Sequence, residues 1–374
     1  MTRPLDLSSE THPLLIVVGS GGVGKTTLAA SMGIVSAAAG IDTLVMTFDP
    51  SLRLKDALGV GHAAEDDEIE VPLPASADGR PPGVLRASLL DAGKTFDRLV
   101  ARYAPDDGSR ERILSNRYYR HMAGHLGGIL EYMAVERLYE VAAEGRYQRI
   151  ILDTPPTSQA IDFLEAPQRI VDFLDSGALK IALRPWFDDG GGLKATSSLG
   201  FVGRGLERFL DRIVGMNLLR DMSEFFRAFE PMFGGFRQRA EKVEGLLGSP
   251  DTLFSLVTGP GESRIPDTLF FARRLAESGY RLGPILVNRV HPTFDDQGAV
   301  ESAGEGQGGI DTDDGGALFR WLGESHHRGL GQLRSLMPDG QQVVDLPLEA
   351  DEPTDLVALR GMGERLQRRL TERP

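Results

Sequence analysis

Short runs of apolar and β-branched residues recur along the chain with helical segments between them. They are Leu14 to Val18, Thr43 to Phe48, Val84 to Ala87, Arg149 to Leu152, Thr252 to Val257, Pro284 to Val287 and Gln342 to Leu346. Each is four to six residues long, and most are apolar on both alternating faces, the pattern of strands covered on both sides. Strands that alternate with helices predict an α/β fold with a doubly wound, mostly parallel sheet. The strands are unevenly spread: none is convincing between Leu152 and Thr252, and the stretch from Asp91 to Glu144 reads as helical. The pattern therefore predicts an α/β core from residues 1–90, 145–165 and 250–374, with a helical subdomain inserted as residues 91–144 and 166–249.

Within that insertion, apolar residues from Leu206 to Phe236 fall at the i, i+3, i+4 spacing of amphipathic helices. Seven of the seventeen phenylalanines and three of the ten methionines lie between Phe201 and Phe236. Such a stripe either packs the subdomain onto the core or offers a surface, including Met222 and Phe226, that repacks around apolar client helices. Gly190-Gly191-Gly192 reads as a hinge before it. Two linkers differ in composition. Gly61 to Pro82 is acidic and then Pro-rich, and reads as a surface excursion. Residues 293–316 hold seven glycines and seven acids without one Lys or Arg, which predicts a flexible loop.

Composition narrows the chemistry. Of 374 residues, 41 are Lys or Arg and 54 are Asp or Glu, for a net charge of −13, a field that disfavours nucleic acid as a partner. Cysteine is absent, which removes disulfides, thiolate metal sites and thiol nucleophiles. The early apolar run Leu14 to Val18 is too short to cross a bilayer and lacks a signal-type cleavage site, so no transmembrane segment and a cytoplasmic location are expected. His121 and His125, four apart, could share a helix face, but no third ligand accompanies them.

The strongest chemical signal is Gly19-Ser20-Gly21-Gly22-Val23-Gly24-Lys25-Thr26-Thr27, between a predicted strand and an Ala-rich predicted helix. Glycines there let backbone N–H groups turn inward onto phosphates. Lys25 would reach the β and γ phosphates, and the Thr26 hydroxyl would take Mg²⁺. Gly19, Gly21 and Gly24 also satisfy G-x-G-x-x-G, but a dinucleotide pyrophosphate requires neither the lysine nor the metal-binding hydroxyl. The candidate phosphate-binding set is Gly21, Gly22, Val23, Gly24, Lys25, Thr26 and Thr27.

Two acids stand at predicted strand ends, where open α/β sheets hold ligands. Asp153, before Thr154-Pro155-Pro156-Thr157, suits the shell of Mg²⁺ opposite Thr26, or else a turn or helix N-cap. Asp49, before Pro50, suits a catalytic role in orienting the attacking water close to the metal, or else the N-cap of a following helix.

Three segments together resemble the ArsA family of ATPases, which includes arsenical-pump ATPases and ATPases that deliver tail-anchored membrane proteins. They are the loop Gly19 to Thr27, the Thr47 to Leu58 segment T-F-D-P-S-L-R-L-K-D-A-L, and the Asp153 to Ala160 segment D-T-P-P-T-S-Q-A. The resemblance implies a P-loop ATPase whose active form is a dimer closing over Mg·ATP, either a homodimer or a heterodimer with a paralogous ATPase. It implies that Asn288, otherwise a plain turn residue, meets the adenine edge, and that the loop at Pro347 lines the base. It also implies hydrophobic helices of membrane proteins as clients.

The sequence departs from the family at three points. Ser20 stands where members usually carry a lysine that reaches across the dimer, so either another cation such as Arg53 or Lys55 substitutes or a paralogue supplies the lysine. Ser158 and Gln159 replace a Gly-His pair in the second switch. The cysteines that bind metalloids or zinc in relatives are absent. The alternative function implied is a low-turnover, nucleotide-binding regulatory subunit.

Overall fold

The computed structural model describes residues 4–47, 58, 68–74, 81–116, 129–155, 157–176, 230–293 and 312–372. They divide into two compact units. One takes Met1–Leu90, Val141–Ala160 and Leu247–Pro374, and the other takes Asp91–Glu140 and Ile161–Leu246.

The first unit is built on an eight-stranded sheet. In chain order the strands are β1 (Leu14–Gly19), β2 (Thr43–Thr47), β3 (Ile69–Glu70), β4 (Leu85–Leu89), β5 (Arg149–Asp153), β6 (Thr252–Thr258), β7 (Leu282–Val290) and β8 (Val343–Pro347). Their spatial order is β3-β4-β2-β5-β1-β6-β7-β8. Every pairing is parallel except β3 with β4. β1, β2, β5 and β6 are buried along their whole length, which is why their sequences are largely apolar and do not alternate.

Helix α1 (Lys25–Ala38) lies over this sheet. A Cβ on its Gly33 would stand 2.3 Å from Val45 Cγ2, so the helix backbone rides close on β2. The C-terminal helix Leu356–Thr371 packs on α1 in the same way, since a Cβ on Gly363 would meet Ser31 O at 2.5 Å. Arg149, fully buried at the start of β5, ties the N-terminal segment down. Its guanidinium donates to Leu7 O at 2.6 Å, Ser36 Oγ at 2.8 Å and His12 O at 3.3 Å, and also to Ser9 O. Desolvation lowers its pKa to about 10, against the opposing pull of Asp6 and Glu10. The carbonyl cage is what makes a cation tolerable there.

The described part of the second unit is helical: α2 (Ala92–Tyr103), α3 (Asp107–Ser115), most of α4 (Ile129–Glu144), most of α5 (Thr157–Asp175) and, after a 3₁₀ turn at Glu230–Met232, most of α6 (Phe233–Leu247). Its buried residues are mostly apolar, Leu99, Val135 and Phe163 among them, but they include an ion pair. Buried Glu136 pairs with Arg239, whose guanidinium also lies over the rings of Tyr103 at 5.2 Å and Tyr139 at 5.0 Å. Burial pushes the Glu136 carboxyl up while Arg239 pulls it back. Tyr132 packs on Phe236 with ring centroids 5.9 Å apart.

Three elements differ from the sequence pattern. The two-residue strand β3 falls inside the stretch expected to be a surface excursion. β7 runs three residues past Val287. After α7 (Ile265–Glu277), helix α8 (Thr312–Leu336) begins inside the segment expected to be a Gly-rich loop, so residues 312–316 are corrected from loop to helix. The large apolar residues Leu318, Phe319 and Trp321 follow within the same helix and are exposed. Residues 294–311, Gly190-Gly191-Gly192, and Met222 and Phe226 with the stripe up to residue 229, lie outside the described residues. No described helix is long and apolar enough to cross a membrane.

Candidate functional site

β1 ends at Gly19 (φ 148), where an added Cβ would sit 1.9 Å from Val257 O on the neighbouring β6, so no other residue fits at that point. The chain then curls through Ser20 to Val23 and enters α1 at Gly24. Gly24 is left-handed (φ 91), and a Cβ there would stand 2.5 Å from Asn288 Nδ2. α1 has no side-chain cap and no acid in its first turn, which leaves its first N–H groups and its dipole open to an anion.

Lys25 is buried, and its Nζ donates to Ser20 O at 2.9 Å, so the ammonium folds back over the loop that precedes it. Ser20 is buried as well. Thr26 Oγ1 donates to Asp153 Oδ2 at 2.6 Å. Asp153 is 1% exposed and ends β5, in register with Val17 of β1 and Thr47 of β2. Thr47 Oγ1 donates to the same Oδ2 at 2.9 Å. A hydroxyl and a carboxylate held this closely are hard oxygen donors suited to a small divalent cation. Thr154, next along, donates through Oγ1 to Val17 O at 2.8 Å and fixes the chain as it leaves the sheet.

On the other side of the loop, buried Asn288 near the end of β7 donates through Nδ2 to Val23 O at 2.8 Å. Its Oδ1 is buried with no hydrogen-bond partner among the described residues. A buried acceptor of this kind is costly unless a ligand N–H meets it, and the exocyclic amine of adenine is such a donor. Pro347, the last residue of β8, is in register with Val290, and Leu348 N donates to Val290 O at 2.9 Å. The exposed Leu348 side chain follows as an apolar surface beside it. The sheet order thus puts the Lys25, Thr26 and Asp153 group over β1 and β5, and the Asn288 and Pro347 group over β7 and β8.

The structure brings Gly21 to Thr27, Asp153, Asn288 and Pro347 to the carboxyl end of the sheet. Asp49, Arg53, Lys55, His121 and His125 lie outside the described residues, as does Pro156 of the second switch. Thr47 was not singled out by sequence reasoning. Its only signal was its place as the last strand residue before Phe48-Asp49-Pro50.

A mostly parallel sheet whose first strand passes through a G-x-x-x-x-G-K-T loop into a helix, beside a strand that ends in a buried aspartate, defines a P-loop NTPase. Residues 12–188 match the family model described as anion-transporting ATPase, ArsA_ATPase. The chain is 28% identical over 207 residues to the ATPase GET3 of Kluyveromyces lactis, covering 53% of this chain and 57% of that one. It is 30% identical over 176 residues to the ATPase GET3 of Lachancea thermotolerans, covering 45% and 48%. With an ATPase ASNA1 homolog of Babesia bovis it shares 26% over 301 residues, covering 80% and 72%. In the GET3 comparisons the chain spans about half the length of the relative. Residues 12–188 thus match the ArsA-type ATPase family, and the chain is similar to the GET3 and ASNA1 ATPases.

Proposed function

We propose that this chain binds Mg·ATP at the carboxyl ends of β1, β5, β7 and β8 and hydrolyses it in the cytoplasm as a dimer. The observation that carries the reading is the 2.6 Å bond between Thr26 Oγ1 and Asp153 Oδ2, beside a lysine already folded over the phosphate loop. Gly21 to Thr27 present their amides to the phosphates, and Lys25 leaves Ser20 O for the β and γ oxygens. Thr26 and Asp153 open to hold the metal, Asp153 acting through its water shell. Mg²⁺, when bound, neutralises charge that develops on the transferred phosphoryl group. Asp49 orients the attacking water and contributes to the same shell. Asn288 Oδ1 accepts from the adenine amine, and Pro347 packs on the base.

Hydrolysis then shifts the dimer between open and closed forms. The helical unit follows that shift and binds apolar helices of membrane-protein clients. A second reading rests on Ser20. Without a lysine at that position a self-paired dimer lacks the cation donated in trans, whose loss in comparable sites costs about 10³-fold or more in turnover. The chain is then a nucleotide-binding regulatory subunit that pairs with a paralogous ATPase.

Steady-state ATP hydrolysis by the purified chain, with Ser20→Lys and Asp49→Asn beside it, separates the two readings. Turnover that Asp49→Asn abolishes supports the self-sufficient ATPase. ATP binding without turnover, with activity gained in Ser20→Lys, supports the regulatory subunit. Absence of ATP binding overturns both.

A further inference from the structure

Arg289 is the one described residue other than glycine with a left-handed backbone (φ 65). Long side chains rarely adopt that region, and such outliers persist where the surrounding structure enforces them. The cause is visible in the sheet: pairing of β7 with β8 shifts register between Val287 and Val290. In a regular strand, side chains 288 and 289 would point to opposite faces. The irregularity re-aims them, as bulges near sites do. Asn288 Nδ2 donates to Val23 O at 2.8 Å, and Arg289 NH1 donates to Gly22 O at 3.3 Å. Consecutive side chains thus hold consecutive carbonyls of the phosphate loop.

A trans peptide is planar, so its C=O and the following N–H point in opposite directions. Fixing the Gly22 carbonyl aims the Val23 N–H away from Arg289, and fixing the Val23 carbonyl aims the Gly24 N–H away from Asn288. The second arm of Arg289 reaches Glu352 Oε1 at 3.2 Å, on the segment that follows β8. One guanidinium therefore joins the phosphate loop to the chain that leaves the base side of the site. We propose that Arg289 is a positioning residue for nucleotide binding, which holds the loop amides of Val23 and Gly24 in the orientation that phosphate oxygens require. The inference rests on the ATP-binding reading above and adds a residue that touches the loop from outside.

Arg289→Gly gives the test, because it removes the side chain and relieves the left-handed backbone at once. A merely structural brace predicts a lower melting temperature and unchanged ATP affinity in the folded fraction. A positioning role predicts a melting temperature equal to or above that of the wild type, with ATP affinity weakened about tenfold, the size of one charge-assisted hydrogen bond. Fluorescent ATP-analogue titration and thermal melting of the full chain read both quantities. Arg289→Lys, which keeps the charge and loses the fork, is expected to recover only part of the affinity. The loss is expected to persist at about 0.5 M salt, where a general field effect is screened. If the wild type binds nucleotide and Arg289→Gly binds equally well, or the loss disappears in salt, the inference is overturned and the ATP-binding reading stands. If the wild type itself fails to bind, that reading fails and the inference goes with it.

Discussion

A buried carboxylate that accepts hydrogen bonds from two hydroxyls sets the energetics of the site before any ligand arrives. Asp153 Oδ2 takes one bond from Thr26 and one from Thr47, and bonds to a charged acceptor contribute about 1.5–3 kcal/mol each. Thr26→Val keeps the volume and deletes the donor, so it should lower stability by about 1–3 kcal/mol in urea unfolding. Thr26→Ser should stay close to the wild type. The same pair should separate in ATP titrations, with Thr26→Val losing the gain in affinity that Mg²⁺ provides; equal Mg²⁺ dependence in both would remove Thr26 from the metal site. Gly24 gives a second residue-scale prediction. A Cβ there would meet Asn288 Nδ2 at 2.5 Å, on a backbone at φ 91. Gly24→Ala should therefore cost about 1–3 kcal/mol and weaken ATP binding, because Asn288 must move off Val23 O to make room.

At the scale of elements, helix α8 meets the chain after β7 through histidines. His291 N donates to His326 Nδ1 at 3.2 Å, and the two rings stand edge to face at 5.1 Å. Burial lowers the His326 pKa, and His291 and His327 lower it further. A folded pKa below the unfolded one contributes stability that is present above the unfolded value of about 6.5 and lost as pH falls through the folded value. Protonation also turns the accepting Nδ1 into a donor, so the His291 amide loses its partner. Amide exchange at His291, corrected for its intrinsic pH dependence, should accelerate between pH 7.5 and pH 5. His326→Asn, whose Oδ1 can still accept, should flatten that change.

Neither the seam nor its register could be read from the sequence. The central strands were legible because burial on both faces writes them as apolar runs, and the phosphate loop because its glycines, lysine and threonine have few other uses together. β3 was not, since two residues carry no period. Nor was the start of α8, where acids and glycines mask a helix held by later residues. Asn288 could be named from a family pattern, but the left-handed turn at Arg289 arises from the pairing of β7 with β8, and no local propensity encodes it. Thr47 was hidden because a threonine at a strand end is unremarkable until the carboxylate it meets is known.

For the whole molecule the question is whether nucleotide binding is felt beyond the unit that binds. Gly21 to Thr27, Asp153, Asn288 and Pro347 all belong to the unit of Met1–Leu90, Val141–Ala160 and Leu247–Pro374. A ligand that binds only the folded state adds about 2.7 kcal/mol at a hundredfold excess over its Kd. For a unit of this size that is a rise of about 5–10 °C in melting temperature. Mg·ATP should give that rise, ATP with EDTA a smaller one, and Lys25→Ala none. Hydrogen exchange then tells the two functional readings apart. Both place the same ligand in the same site, so both predict slower exchange in the segments around residues 19–27, 149–155 and 285–290. An ATPase that drives client binding must also have two states of the helical unit that ATP distinguishes, because a ligand shifts an equilibrium only by its differential affinity for the two states. Exchange in residues 91–140 and 161–246 should then differ between the Mg·ATP and Mg·ADP forms of the wild type. If those segments exchange identically in both forms while the first unit responds, the helical unit does not sense the γ-phosphate in this chain alone, and the partner-dependent reading is the one to pursue.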